Sequence, residues 1–431
     1  MGCLAGLPVG VVSIPDVLAN QRPWWIASGD ARTVLRTLPD ACISCVVTSP
    51  PYYQLRRYLP NGHPDQPLEL GLEPTLDVYV AALVAVFAEV KRVLHPTGTL
   101  WLVLGDSYAT NPGNGRGGEG VRRGSPLLSG VPHRSGRDRS RDAKPKDLLL
   151  VPTTVALALR ADGWYLRSAI TWVKTAPMPE SVTDRPTSAT EQIYLLSKRA
   201  SYHYDAAAVA QMAADSSAAR AYLGQRPISD RQQAMQDAGM HGASDSLRVY
   251  DRASRNLRNA WILGPEPLDA QHYAAFPTEI PRRAILAGSS EHGVCRACSS
   301  PWRRLTERTP MLVREGPSRA GLKLAANGAS SSRTAVTGTM LAPPSSTTTG
   351  WAPTCRCDAD VVPALILDTF AGAGTTGLVA TRLGRRFLGV DLNPDYVELS
   401  RSRILAEQGA LPEHAAEVAQ PVQLRLAEAA G

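Results

Sequence analysis

The residues best equipped for chemistry form the run Thr48-Ser49-Pro50-Pro51-Tyr52. Two consecutive prolines fix the backbone and remove two amide donors, so no sheet continues through them. The stiff loop that remains offers carbonyl oxygens, two hydroxyls and an aromatic face. That set suits holding a flat ring by stacking while accepting hydrogen bonds from an amino group on its edge. The bland alternative is a Pro-Pro loop that merely ends a strand. A second stretch is Asp368 followed by Phe370-Ala371-Gly372-Ala373-Gly374-Thr375-Thr376-Gly377. A glycine turn between a strand and a helix lets backbone approach a ligand closely and presents free amides at the helix start. Asp391 lies 19 positions after Gly372, the spacing at which an acid binds ribose hydroxyls. A third set, Cys295-x-x-Cys298 with Cys355-x-Cys357, offers four thiolates for a tetrahedral structural zinc. The second pair is closer than the usual two-residue gap, and four free thiols are the alternative.

These groups need elements to position them. The apolar run 43–47 reads as a buried strand leading into Ser49, and 365–368 as a second strand leading into the glycine turn. A helix over 378–383 and a strand over 386–390 follow. Trp24-Trp25-Ile26 reads as a strand that ends at Gly29-Asp30, with a helix to Leu38. Asp30 there suits a helix cap. A helix over 75–94 should end at His95-Pro96-Thr97-Gly98, before a strand over 99–104 whose end carries Asp106. A helix is expected over 147–160, a strand over 164–172, and a helix over 280–286. Free amides at the last helix start, beside Phe276-Pro277-Thr278, suit a carboxylate.

FAGAGTTG followed by GVDLNPDY, together with TSPPY, resembles the DNA amino-methyltransferases that modify N4 of cytosine or N6 of adenine. The resemblance implies S-adenosylmethionine as cofactor, held by Asp30, Thr48, Phe276, Pro277, Thr278, Asp368, Phe370, Ala371, Gly372, Gly374, Thr375, Thr376 and Asp391. It implies that Ser49, Pro50, Pro51 and Tyr52 hold and activate the target base. Serine at position 49 resembles the N4-cytosine enzymes, where aspartate is commoner in the N6-adenine ones. Methylation at cytosine C5 would need a cysteine after a proline, and the chain has no Pro-Cys pair. With the catalytic motif before the cofactor motif, the order resembles the family's beta group. The fold expected is therefore a Rossmann-like α/β methyltransferase sheet, circularly permuted, with a polar recognition insertion and a small Cys-rich insert. Trp172, Lys174 and Glu191 also match frequent positions of the family. A catalytically silent DNA-binding module is the competing class, against which the intact motifs argue.

The organisation follows: a catalytic half over 1–204, a target-recognition region over 205–256, a return to the core over 257–290, and a Cys-rich insert over 291–360. The cofactor half spans 361–404 and a peripheral tail 405–431. Net charge is +7. Most of it lies in 111–146, where nine basic residues face three acidic ones. Such a Gly/Arg/Ser-rich stretch reads as disordered and suited to DNA phosphates, or as a solvated linker. Tyr53-Gln54-Leu55-Arg56-Arg57-Tyr58 suits stacking and phosphate contact, or covers the pocket as a loop. No apolar stretch is long enough for a bilayer, no basic leader opens the chain, and the seven cysteines are odd in number. The expectation is a cytoplasmic protein without membrane contact, acting on double-stranded DNA, with a cognate restriction endonuclease as a possible partner.

Overall fold

The computed structural model describes residues 14–109, 143–212, 254–266, 275–309, 312–314, 339–342 and 345–410. Eight strands form one sheet: β1 (Trp24–Ser28), β2 (Ile43–Thr48), β3 (Leu94–Leu104), β4 (Tyr165–Lys174), β5 (Thr190–Ser197), β6 (Ala260–Leu263), β7 (Leu365–Asp368) and β8 (Arg386–Asp391). Their order is β1-β8-β7-β2-β3-β5-β4-β6. The pairings are parallel except those of β5, which runs antiparallel to both β3 and β4. The chain's early and late segments therefore meet at the centre: Ile366 lies beside Cys45 and Leu367 beside Val46.

Central position explains composition. All six residues of β2 are buried, as are all four of β7. A strand covered on both faces reads as a continuous apolar run rather than an alternation. The helices that cover the sheet are α1 (Ile14–Leu18), α2 (Ala31–Leu35), α3 (Leu76–Val93), α4 (Val151–Ala161), α5 (Glu279–Gly288), α6 (Thr375–Arg382) and α7 (Pro394–Ala410). Helix α3 is the longest. Its Thr75 cap accepts from the Val78 amide at 3.3 Å, Asp77 sits in its first turn, and Lys91 and Arg92 in its last. Its buried face runs through Tyr79, Leu83, Val86, Phe87 and Val90, the spacing of an amphipathic helix. It packs beside α2 and α4, whereas α5 packs beside α6 and β2.

Several boundaries differ from those expected. The His95–Gly98 stretch does not precede β3 but belongs to it: Ile43 pairs with Leu94 and Cys45 with Thr99, so the intervening residues bulge out of register. Helix α4 begins at Val151, not at 147, because Leu150 takes a left-handed conformation (φ 52°) that no helix can include. Helix α2 stops at Leu35, and α7 continues through 405–410, residues expected in the tail.

The described residues divide into two compact units. The first carries the sheet, all seven helices and the four cysteines of the paired motifs. The second comprises the described parts of Ala206–Leu257 and Arg304–Ala352. It holds short antiparallel pairs, Leu312–Arg314 with Thr339–Ala342 and Gln211–Met212 with Ser254–Arg255, and the Arg304 guanidinium lies 4.4 Å from the Trp351 ring centroid. The insert expected over 291–360 is thus shared: its cysteine-bearing ends belong to the first unit and its middle to the second. Most of the basic stretch (110–142), most of the candidate recognition region (213–253) and the tail from 411 lie outside the described residues. Among the described residues no helix is long and apolar enough to cross a membrane.

Packing of α6 on β8 is close enough to test. A Cβ on Gly377 would overlap the Phe387 ring and reach Ile404 Cδ1 at 2.7 Å. Gly377→Ala is expected to lower the unfolding free energy by about 1–3 kcal/mol, measured by urea titration. Wild-type stability in that variant would show that the α6–β8 contact is looser than described.

Candidate active site

Four parallel strands end on one side of the sheet, and the loops that follow them enclose a single cavity. Gly29 and Asp30 follow β1, Ser49 to Tyr52 follow β2, Thr369 to Gly372 follow β7, and Asp391 ends β8; all of these line the cavity. Carboxyl ends of parallel strands are where ligands collect in such sheets. Phe276, Ala373, Thr375, Asn393 and Tyr396 add to the wall.

Behind the wall sits a buried carboxylate. Asp368 is 1% exposed. Its Oδ1 accepts from Thr48 Oγ1 at 2.7 Å and from the Phe370 amide at 3.1 Å. Its Oδ2 accepts from Thr376 Oγ1 at 2.7 Å. One side chain therefore joins the last residue of β2, the entrance to the glycine turn and the first turn of α6. Burial pushes its carboxyl up to about 6 against the opposing effect of those donors. Asp368, Thr48 and Thr376 stand behind the cavity and do not line it.

Asp391 does line it. Its Oδ2 accepts from the Gly372 amide at 2.7 Å and its Oδ1 from the Asn393 amide at 2.9 Å. Each oxygen keeps further acceptor capacity. Burial, with a smaller contribution from the Asp368 charge, raises this carboxyl to about 6 as well. The turn itself needs glycine twice: Gly372 has φ 50° and Gly374, the residue before α6, has φ 73°. Ser400 Oγ donates to Gly372 O at 2.5 Å, and the Arg403 guanidinium to Ala373 O.

Tyr52, which also lines the cavity, is fixed from three sides. Its ring lies against Gly105, where a Cβ would come within 2.5 Å of Cε2. Its hydroxyl donates to Glu191 Oε2 at 2.5 Å, and the Ser49 hydroxyl donates to Tyr52 Oη at 3.4 Å. Lys174 pairs with the other oxygen of Glu191. Burial first, and then the Glu191 charge, hold the Tyr52 phenol well above its ordinary range, so it stays a neutral donor. The Tyr79 hydroxyl anchors the Pro51 carbonyl at 2.8 Å.

Other residues fall elsewhere. Asp30 lines the cavity while capping α2, accepting from the Thr33 amide at 3.1 Å and pairing with Arg32. Phe276 reaches the cavity, but Pro277 and Thr278 do not line it, and Thr278 Oγ1 bonds Glu266 Oε1 at 2.8 Å. Asp106 is not a cavity residue despite its strand-end position. It accepts from the Ser107 and Val151 amides, each at 2.9 Å, and so starts α4. In the run after Tyr52, Leu55, Arg56 and Tyr58 wall the cavity, whereas Tyr53 is 1% exposed and packs on Tyr79 at 5.3 Å. The Sγ atoms of Cys295, Cys298, Cys355 and Cys357 lie within 4.8 Å of one another, away from this cavity. The sequence marks Glu191 and Lys174 by resemblance but shows no task for them. It gave no task to Asn393, whose Nδ2 bonds Tyr58 O at 2.8 Å, although the Asn-Pro that starts α7 was the available signal.

A family model described as DNA methylase matches residues 43–295 and 363–402. The chain belongs to that family, the N6-adenine and N4-cytosine DNA methyltransferases. The type II methyltransferase M.SmaI of Serratia marcescens is 30% identical over 387 residues, covering 90% of this chain and 92% of that protein. M.Cfr9I of Citrobacter freundii is 31% identical over 379 residues, covering 88% and 87%. Among solved structures, PvuII DNA methyltransferase (cytosine-N4-specific) covers 89% of this chain and 86% of its own at 15% identity, with a TM-score of 0.45. The M1.HpyAVI–SAM complex covers 88% and 99% at 12% identity, with a TM-score of 0.37. Methyltransferases of this family use S-adenosylmethionine. The donor set fits it: a carboxylate with spare acceptor capacity at Asp391, backbone at Gly372 that comes close without a side chain, and apolar wall from Phe276 and Phe370.

The Asp368 network predicts a pH-dependent cost. Its pKa of about 6 exceeds the unfolded value, so the stability tied to its protonated form is lost as pH rises from about 4 to about 6. Above that range an ionised Asp368 depends on its donors most. Thr376→Val should therefore cost about 1–3 kcal/mol at pH 7.5 and distinctly less at pH 5, by denaturant unfolding. Equal costs at both values would remove Thr376 from the network.

Proposed function

We propose that the protein transfers a methyl group from S-adenosylmethionine to N4 of a cytosine extruded from double-stranded DNA. The observation that carries this reading is that Ser49, Pro50, Pro51 and Tyr52 share one cavity with Phe370, Ala371, Gly372 and Asp391. Serine at position 49 supports cytosine N4 over adenine N6. The type II relatives support a role opposite a restriction endonuclease of the same target. The order of the two motifs along the chain supports the permuted arrangement of the beta group.

An exocyclic amine is a weak nucleophile because its lone pair is delocalised into the ring, and in a duplex it is out of reach until the base is flipped. S-adenosylmethionine, when bound, supplies an electrophilic methyl group. The chain's residues do the rest. Asp391 and the Gly372 turn hold the ribose side of the cofactor, and Phe370, Phe276, Ala371 and Thr375 enclose it. Tyr52 stacks on the flipped base, held in place by Gly105 behind it and by Glu191 at its hydroxyl. Ser49 Oγ donates a hydrogen bond to Tyr52 Oη, and Tyr52 Oη donates one to Glu191 Oε2. That chain orients the Ser49 oxygen as an acceptor, and the Glu191 charge at its end strengthens it. Ser49 Oγ and the Pro50 carbonyl accept from the amino hydrogens and draw the nitrogen toward tetrahedral geometry. Positioning and fixed dipoles supply the acceleration.

Incubation with labelled cofactor and mixed DNA, followed by nucleoside digestion, should yield N4-methylcytosine. N6-methyladenine would overturn the base assignment, and unlabelled DNA the whole reading. Ser49→Ala and Tyr52→Ala should each lower kcat by roughly 10²-fold or more with the circular-dichroism spectrum unchanged. Full activity in either would remove the role given to that residue.

Asp391 makes cofactor affinity pH-dependent. The ionised form is the better acceptor, and its pKa lies at about 6, so Kd should rise as pH falls through about 6. Asp391→Asn should weaken binding and flatten that profile, measured by calorimetry between pH 5 and pH 8. An unaltered profile in the variant would show that another group titrates.

A further inference from the structure

We propose that Cys295, Cys298, Cys355 and Cys357 bind one zinc ion that ties two distant segments of the first unit together and has a structural role. The four Sγ atoms lie within 4.8 Å of one another, a spacing that four thiolates around a tetrahedral centre require, with each Zn–S bond near ~2.3 Å. Backbone hydrogen bonds shape both halves of the cage. Residues 295–298 form a tight turn: the Ser299 amide donates to Cys295 O at 2.8 Å, the Cys295 amide donates to Ser300 O at 2.9 Å, and Ser299 takes a left-handed φ of 59°. The second segment is brought alongside by antiparallel pairing of Val294–Cys295 with Val361–Val362, by the Arg296 amide on Asp360 O at 2.8 Å, and by Thr354 Oγ1 on Pro301 O at 2.6 Å.

The donor set and the surroundings both point to structure rather than catalysis. Four sulfurs complete a tetrahedron and leave no position for water or substrate. None of the four lines the active-site cavity. Among the described residues the apolar support here is a small cluster of Val294, Val362 and Ala364, so a bound ion would add to the backbone pairing that joins the two segments. Ala364 directly precedes β7, whose last residue is Asp368, so the site anchors the start of the strand that carries the buried carboxylate. Exposure rises from buried Cys295 to exposed Cys357, which leaves one open side for the ion to enter.

Metal analysis of the full chain, purified without chelator, should find about one zinc per chain. A thiol-blocking reagent should release it in step with the four cysteines. The double variant Cys298→Ser/Cys357→Ser should lose the zinc and melt at a lower temperature. Since that variant can fail to fold, the wild-type protein is also reconstituted with cobalt, which should show the visible bands of a tetrahedral tetrathiolate. Absence of zinc together with absence of those bands, a disulfide among the four cysteines in place of metal, or undiminished zinc in a folded double variant would each overturn the proposal.

Discussion

The two motifs meet because a carboxylate is buried between them. Asp368 accepts hydrogen bonds from Thr48, Thr376 and the Phe370 amide. Thr48 is the residue before Ser49, and Phe370 lies two residues before Gly372. The catalytic loop and the glycine turn are therefore held to the same two carboxylate oxygens, although 320 positions separate Thr48 from Asp368. Sheet pairing alone sets the two strands side by side, at Ile366 with Cys45. It does not set the rotation of the loops beyond their ends. A buried charge does so, because each lost donor leaves part of its desolvation uncompensated. The rise of its pKa to about 6 is the sign that this desolvation is only partly offset.

Two further acids divide the remaining work. Asp391 faces the cavity and spends one lone pair of each oxygen on backbone, shaping the turn while it keeps capacity for a ligand. Glu191 stands behind Tyr52, outside the cavity lining, and acts through it, its charge balanced by Lys174. The three carboxylates sit on three different strands, β7, β8 and β5. Each takes its role from what donates to it.

What could be read beforehand depended on how local the signal was. The Ser49–Tyr52 loop and the Gly372–Gly377 turn were legible because prolines, glycines and flanking apolar runs state their geometry within a few residues. The cysteine pairs were legible for the same reason. Glu191 matched a pattern but gave no hint of its task, since its partner Tyr52 lies 139 positions away in the loop after β2. Asp106 sits at a strand end, where ligands collect, yet it bonds the Val151 amide at the start of α4 and the amide of the next residue, Ser107. The family resemblance and the free amides of the following helix group Pro277 and Thr278 with Phe276, and of the three only Phe276 lines the cavity. The start of α4 was misplaced because nothing in the composition announces the left-handed Leu150.

A crystal structure with S-adenosylhomocysteine bound tests the central claim most directly. The account predicts the ligand in the cavity between Asp391 and the Ser49–Tyr52 loop, with its ribose hydroxyls on the Asp391 carboxylate. A ligand bound elsewhere, or one separated from Tyr52 by folded chain, would contradict it.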